Sequence, residues 1–381
     1  MTRKTRLPYG KHDITDADVA AVERVLRSPR LTSGPQVWGL GCDLAKCIQA
    51  HHVAVPVSSG TAALHLAYLA AGLGRGDEVI MSPLTFVATA NAALYVGARP
   101  VFVDVSSRSL NIDPVKVEAA ITSRTRAVVA MHYAGRSCDM KALSSICKRY
   151  NLLLIEDACH ALGAEYYGKP VGSGMADLSC WSFHPVKHVA AGEGGAVSSR
   201  CRDDMLNRIV RLRNHGIEAT CRGREEWERL TSELGFNYRI SDINCALARS
   251  QLKRLGQQIA KRRWLAATYH EALHRVKGVR RPAKDTANNK SAWHLYVIRA
   301  KNRKEVFYEM RSRKIDVAVH YPLVYHHPLY AKKGYKPGLC PVAERAYEEI
   351  LTLPLFGSMK PADLVDVVKA LKGALGSRFS K

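Results

Sequence analysis

An α/β chain built on a mainly parallel sheet flanked by helices, with a smaller α/β domain at its C-terminal end, is the fold class the sequence predicts. Three observations carry it. Short apolar runs alternate with helical patterns from about residue 53 to residue 155. The run at 152–155 is apolar throughout, as a strand buried on both faces requires. From about Asp242 the rhythm changes to a long helical pattern followed by a second set of strand-like pieces. We therefore expect a large domain over residues 1–250 and a small one over 251–381.

Taken in order, residues 15–28 carry a capping Thr or Asp and then apolar positions at helical spacing, so a helix is expected near the N-terminus. Residues 37–53 contain Trp38, Gly39 and Gly41, and the two glycines weaken a helix there. A β-branched run at 53–57 stops at Ser58, Ser59 and Gly60, and a helix follows over 61–71. The rhythm continues with a strand at 78–81, a helix at 85–96, strands at 100–105 and 127–131, a helix at 140–150 and the buried strand at 152–155. A long helical pattern spans 244–273. Strand-like pieces then fall at 294–299 and 317–321, with helices at 304–312 and 343–351 and a loop at 333–341.

Composition excludes several classes. The chain is 47% hydrophobic and 24% charged, as ordinary globular proteins are. It shows neither the apolar core of a secretory signal nor the roughly eighteen consecutive apolar residues of a membrane span, so a cytoplasmic protein without membrane contact is expected. The ten cysteines form no CxxC pair and no zinc spacing, which suits a reducing compartment and predicts no metal site. Charge is unusual: 57 Lys and Arg against 34 Asp and Glu give a net +23. The basic residues concentrate at 200–229, 253–263 and 299–314, but acids are interspersed. A solvated basic face is therefore expected, not a nucleic-acid site.

Three motifs could carry chemistry. In SSGTAAL at 58–64 a strand runs into a turn that opens a helix, so unpaired N–H groups and the helix dipole converge as a phosphate requires. The same residues also describe an ordinary capped helix. In IEDACHALGA at 155–164 the buried strand ends at Glu156 and Asp157, with His160 three residues on. Parallel sheets place their sites at such strand ends, although an Asp there also caps turns. In SCWSFHPVKHVAAGEGGAV at 179–197 a single lysine, Lys187, stands among aromatic, hydroxyl and histidine residues. A lysine in a confined, partly apolar pocket has a lowered pKa and becomes an amine nucleophile, whereas a surface lysine snorkels. Their succession is more informative than each alone. A phosphate turn, a carboxylate after a buried strand and a lysine thirty residues later are what a pyridoxal phosphate enzyme needs.

These motifs, with LTSGPQV at 31–37, SPLTFVATANAALYVGARPVFVDV at 82–105, HYAG at 132–135, RNHGI at 213–217, GFNYRISDINCAL at 235–247 and HYPL at 320–323, resemble the DegT/DnrJ/EryC1/StrS family of sugar aminotransferases. The resemblance covers nearly the whole chain. It implies an aspartate-aminotransferase-like fold (pyridoxal phosphate fold type I) with a seven-stranded sheet. It also implies that Lys187 forms the internal aldimine with pyridoxal 5′-phosphate and moves the proton, that Asp157 pairs with the pyridine nitrogen, and that His160 lies near the cofactor. Phe86 would stack on its ring, while the Gly60, Thr61 and Ala62 amides and the Ser182 hydroxyl would hold its phosphate. Asn237 would reach the cofactor phosphate or substrate of a neighbouring subunit, which implies a homodimer with shared sites.

Within the family, the segments are most similar to the UDP-4-amino-4,6-dideoxy-N-acetyl-altrosamine transaminases of the pseudaminic acid pathway. Substrate contacts of that branch fall on Tyr9, on Pro29, Arg30, Leu31 and Thr32, on Gly60, Ser182 and Asn237, and on Val319, His320, Tyr321 and Pro322. The implied substrates are a UDP-linked 4-keto-6-deoxy amino sugar and L-glutamate, which leaves as 2-oxoglutarate. Transaminases for UDP-aminoarabinose or dTDP-linked sugars are the alternatives inside the family, and a non-catalytic regulator or a basic nucleic-acid-binding protein those outside it. The dehydratase relatives, with a His in place of the lysine, are disfavoured by Lys187.

Overall fold

The computed structural model describes residues 3, 5–218, 225 and 227–376, so part of the basic stretch 200–229 and the last residues of the expected small domain lie outside it. The chain begins with helices α1 (Asp16–Leu26) and α2 (Pro35–Ile48). In α1 a capping box joins Thr15 and Asp18, each accepting the other's backbone N–H. α2 runs unbroken through Gly39 and Gly41, and both glycines are closely packed. A Cβ on Gly41 would stand 2.3 Å from the Ala54 carbonyl oxygen, and one on Gly39 2.5 Å from the Arg249 guanidinium. The propensity lost, about 1 kcal/mol per glycine, is offset at Gly41 by a backbone contact that no larger residue permits, whereas the guanidinium beside Gly39 is the movable end of a side chain.

The alternation read from the sequence then appears as β1 (Val55–Val57), α3 (Gly60–Ala70), β2 (Glu78–Met81), α4 (Ala88–Tyr95), β3 (Arg99–Phe102), α5 (Pro114–Ala119), β4 (Thr125–Met131), α6 (Met140–Arg149) and β5 (Leu153–Asp157). A small hairpin, β6 (Glu165–Tyr166) and β7 (Lys169–Pro170), precedes β8 (Leu178–Ser182) and β9 (Gly195–Ser198). The large sheet has seven strands in the order β1-β9-β8-β5-β4-β2-β3. β9 pairs antiparallel with both β8 and β1, and every other pairing is parallel, so a single strand runs against the rest. β5 sits at the centre, where Leu154 and Ile155 are almost fully buried, as its unbroken apolar run predicts. It extends two residues beyond that run and ends on Asp157, paired across the sheet with Met131 and Cys180.

After α7 (Asp203–Leu212), the single helical pattern expected over 244–273 is two helices, α8 (Asp242–Leu252) and α9 (Leu255–Ala272). They break at Arg254, whose guanidinium reaches back to Asp18 at 2.6 Å. The small unit contains β10 (Val279–Arg280), β11 (Asn289–Lys290), β12 (Tyr296–Ala300), α10 (Arg303–Ser312), α11 (Pro328–Lys332), α12 (Pro341–Glu349), β13 (Ile350–Leu353) and α13 (Pro361–Gly376). β10, β12 and β13 form an antiparallel sheet, while β11 joins the β6–β7 hairpin.

Two expectations are corrected here. The helix read at 343–351 starts at Pro341, which fits the first helical turn, and passes at Ile350 directly into β13, because the apolar Ile350–Leu353 run pairs with β12. The strand read at 317–321 reduces to one bridge between Ala318 and Thr352. Beyond it the chain leaves the sheet because His320 and Tyr321 turn into a cavity.

The second core packs Tyr269, Tyr296, Ile298 and Leu371 together with Leu7 from the start of the chain. Leu7 donates its N–H to Lys314 O at 2.9 Å and accepts from Asp316 N at 2.8 Å, so the N-terminal arm lies along the small unit. The next residues bring Tyr9 to the same cavity, where Leu355 N donates to Tyr9 O at 3.0 Å. No helix among the described residues is long and apolar enough to cross a membrane.

Candidate active site

The cavity, of about 470 Å³, opens at the carboxyl edge of the large sheet and is lined from both units. Its first wall is the start of α3. Ser59 caps that helix, its Oγ accepting from Ala62 N at 3.0 Å. The Ala62 N–H, one of the donors expected to hold the phosphate, bonds this cap. Among the described residues, no acceptor takes the N–H groups of Gly60 and Thr61, so those two donors point from the helix start. Gly60 lies tight against the end of β8. A Cβ there would come 2.9 Å from Ser182 Cβ and 3.3 Å from Cys159 Sγ, which keeps the backbone open to a ligand.

The second wall is the end of β5. Asp157, 3% exposed, accepts from Thr89 Oγ1 at 2.6 Å and from Cys159 N at 3.2 Å. Thr89 is itself 2.8 Å from Thr85 Oγ1. Since the single Thr89 proton is given to the carboxylate, Thr85 must donate to Thr89, and a hydroxyl relay aims one buried carboxylate. The motif reading missed Thr89, although it stands in TFVATANA three residues after Phe86. Beneath lies a second buried pair: His132 Nδ1 accepts from Cys138 N at 3.1 Å, and its Nε2 faces Glu156 Oε1 at 3.4 Å.

Lys187 lies in the loop after β8 and lines the cavity with its side chain half-buried. Burial lowers its pKa below the usual lysine value, and the nearby Cys159 and Asp157 only partly oppose this. Around it stand histidines that burial, and then the lysine's charge, keep neutral. His160 is held well below its ordinary pKa by burial and by Lys187, and His320 is lowered to about 4 for the same two reasons. His160 Nε2 is 3.0 Å from the Tyr321 hydroxyl, while its buried Nδ1 has no partner. His294, absent from the motif reading, packs against His160 with ring centroids 4.3 Å apart. Nothing in the local pattern AWHLY marks His294; the fold brings it in.

Tyr9, Phe86, His320 and Tyr321 complete the cavity from the solvent side. Phe86 is 54% exposed, with its ring 5.8 Å from that of Tyr321. Tyr133 donates to the His320 carbonyl, and His320 Nδ1 is 2.8 Å from Thr352 Oγ1. The remaining expected residues lie outside this cavity. Val319 packs against the large core, and Pro322 is exposed. Pro29, Arg30, Leu31, Thr32 and Asn237 are exposed as well. Thr32 bridges to Ser241, and Asn237 to Asn214, so both segments run beside an outer hollow lined by Trp38, Arg213 and Arg239.

Comparison with known proteins bears on this geometry. The family model of the DegT/DnrJ/EryC1/StrS aminotransferases matches residues 12–372. The chain belongs to this family. Spore coat polysaccharide biosynthesis protein SpsC of Bacillus subtilis is 37% identical over 378 residues, 96% of each chain. Among solved structures, Helicobacter pylori PseC, an aminotransferase involved in the biosynthesis of pseudoaminic acid, superposes with a TM-score of 0.91 at 29% identity, covering 98% of this chain and 100% of that one. Spr1654 of Streptococcus pneumoniae matches in a PLP form, with a TM-score of 0.91 at 27% identity over 97% of this chain and 98% of that one. Its PMP form gives 0.92 at 26% identity over 98% and 99%.

As a member of the family the protein is a pyridoxal-phosphate-dependent transaminase with the type I fold, and the cavity fits that cofactor on its own terms. It offers two unpaired amide donors beside Ser182, a buried carboxylate with its donors in place, an amine of lowered pKa and an unpartnered histidine nitrogen.

Proposed function

We propose that this protein transfers the amino group of L-glutamate to the C4 keto group of a UDP-linked 4-keto-6-deoxy amino sugar, in the cytoplasm and as a homodimer, for nucleotide-sugar or glycan biosynthesis. The observation that carries the reading is the juxtaposition, in one cavity, of the Lys187 amine, the Thr89-held Asp157 carboxylate and the helix start at Gly60. The printed roles of PseC and SpsC, in pseudoaminic acid and spore coat polysaccharide biosynthesis, support a sugar acceptor.

Each side chain then has a task. Pyridoxal phosphate, when bound, supplies an electron sink for the bond broken at the amino-bearing carbon. The Gly60 and Thr61 amides and the Ser182 hydroxyl bind its phosphate. Asp157 holds a proton at the pyridine nitrogen, and the Thr85–Thr89 relay keeps that carboxylate aimed. His160, kept neutral by burial and by Lys187 and 3.0 Å from the Tyr321 hydroxyl, would lie against the cofactor, and Phe86 would stack on its ring. Lys187 Nζ takes the proton from the donor carbon and returns one to the acceptor carbon, a role that needs a free amine near neutral pH. Tyr9, His320 and Tyr321 shape the sugar side. Pro29, Arg30, Leu31 and Thr32 contact the substrate, and Asn237 reaches the cofactor phosphate or substrate of the neighbouring subunit. Val319 and Pro322 contact the substrate beside His320 and Tyr321.

The test is an absorption spectrum of the protein loaded with pyridoxal phosphate. Glutamate should convert the lysine-bound form to the pyridoxamine form, and a UDP-linked 4-keto-6-deoxy amino sugar should restore it. A spectrum restored only by a dTDP-linked or pentose nucleotide would replace the proposed acceptor, and one unmoved by glutamate would remove the donor. Sedimentation of the loaded protein as a monomer that turns over would overturn the shared-site dimer.

A further inference from the structure

The surplus of positive charge has one local concentration that the catalytic cavity does not use. Arg108, Arg136, Arg280, Arg281 and Arg299 line a separate small cavity of about 50 Å³ between the two units, above an apolar floor that includes Trp293 and Leu295. Five guanidinium groups around so small a space repel one another unless an anion lies among them. Of the five, Arg136 alone has a described carboxylate within ion-pair distance, Asp285 at 3.8 Å. That carboxylate is already engaged, accepting from Trp293 Nε1 at 3.1 Å and from Ser291 N at 3.0 Å.

The bonds the arginines do make go to backbone carbonyls. Arg280 and Arg299 share Ser107 O at 3.3 and 2.7 Å, Arg281 donates to His270 O at 2.7 Å, and Arg136 to Lys284 O at 3.0 Å. Such contacts fix four of the five guanidinium groups in place, all but that of Arg108, and use few of the five N–H donors each carries. Burial lowers the pKa of Arg136, which Asp285 opposes and Arg108 adds to, and burial with Arg280 lowers that of Arg299 against the pull of Glu349. Preorganised, partly desolvated arginines with spare forked donors are the chemistry that recognises a phosphate group.

We propose that this arginine-lined cavity is a second ligand site, distinct from the catalytic cavity, that takes a phosphoryl dianion. The volume admits one phosphate group. A nucleoside attached to it would lie outside, over the exposed Arg108 and Arg280. The ligand is therefore either free phosphate or the terminal phosphate of a nucleotide.

The experiment uses the dimer-capable, pyridoxal-phosphate-loaded protein, in which the catalytic phosphate cradle is filled. Inorganic phosphate and UMP are titrated by calorimetry at constant ionic strength set with chloride. Saturable binding is expected, weakened ~10-fold or more in each of Arg108→Ala and Arg280→Ala, since each removes a charge-assisted donor. Both variants should keep the cofactor absorption and its response to glutamate, which shows that they fold. UMP binding more tightly than phosphate through the same arginines identifies a nucleotide, and equal or weaker binding identifies free phosphate. Absence of saturable binding, or binding unchanged in both variants, overturns the site.

Discussion

Replacing Thr89 by valine tests whether the hydroxyl relay under the cavity is a working part of the site. Valine keeps the shape and removes the proton that Thr89 gives to Asp157 across 2.6 Å. A hydrogen bond to a charged, buried acceptor contributes about 1.5–3 kcal/mol. The change also strands the Thr85 hydroxyl, 1% exposed and 2.8 Å from the lost oxygen, at roughly 1 kcal/mol or more. The two effects share one group and are not strictly additive, so the cofactor-free protein should lose about 3 kcal/mol. Thr85→Val keeps the bond to Asp157 and should cost only about 1 kcal/mol. Urea unfolding of the cofactor-free variants, followed by tryptophan fluorescence, reads both. The reasoning is refuted if Thr89→Val stays within about 0.5 kcal/mol of the parent, the usual range of a surface change, or if the two variants cost the same.

Other outcomes follow from the same geometry. Lys187→Ala should lower transamination at least roughly 10²-fold, the usual contribution of a positioned general base, with circular dichroism unchanged. Steady turnover near the parent rate would exclude the proposed proton transfer. Gly60→Ala places a methyl 2.9 Å from Ser182 Cβ, and such overpacking costs about 1–3 kcal/mol. Titration with pyridoxal phosphate should show weaker binding, and unchanged affinity would mean that the helix start does not hold the phosphate. His320 has a folded pKa of about 4 against an unfolded value near 6.5. Between those values the unfolded chain binds the extra proton, so this group makes stability fall as pH is lowered and contributes nothing above the window. His320→Asn should flatten the pH dependence of urea unfolding between about pH 4 and 6.5, by at most ~1.4 kcal/mol per pH unit. An identical slope in parent and variant would show that His320 is not held neutral.

What the sequence made legible is what local pattern encodes. The unbroken apolar run of β5 announces a central strand, the capped turn at Ser59 announces a helix start, and Lys187 stands out because its surroundings are aromatic and polar at once. Thr89 and His294 gain meaning only from tertiary neighbours, Asp157 and His160, that lie far away in the chain. The same limit explains the misread pieces. Residues 317–321 have strand-like composition, but the pull of Tyr133 and Thr352 on His320 takes them out of the sheet. Gly39 and Gly41 look like helix breakers until Arg249 and Ala54 are found pressed against them.

The place of Leu7 has a consequence for how the molecule is made. A ribosome delivers Leu7 some three hundred residues before its backbone partners at 314 and 316. Until then Leu7 has no core to enter, and Tyr9 and His320 cannot meet. The large sheet can form during synthesis, since domains tend to fold as units as they emerge, whereas the Tyr9 and His320 side of the cavity closes only after release of the C-terminal part. Newborn chains should thus pass through a stage that holds the Asp157 and Lys187 half of the cavity before the half lined by Tyr9 and His320.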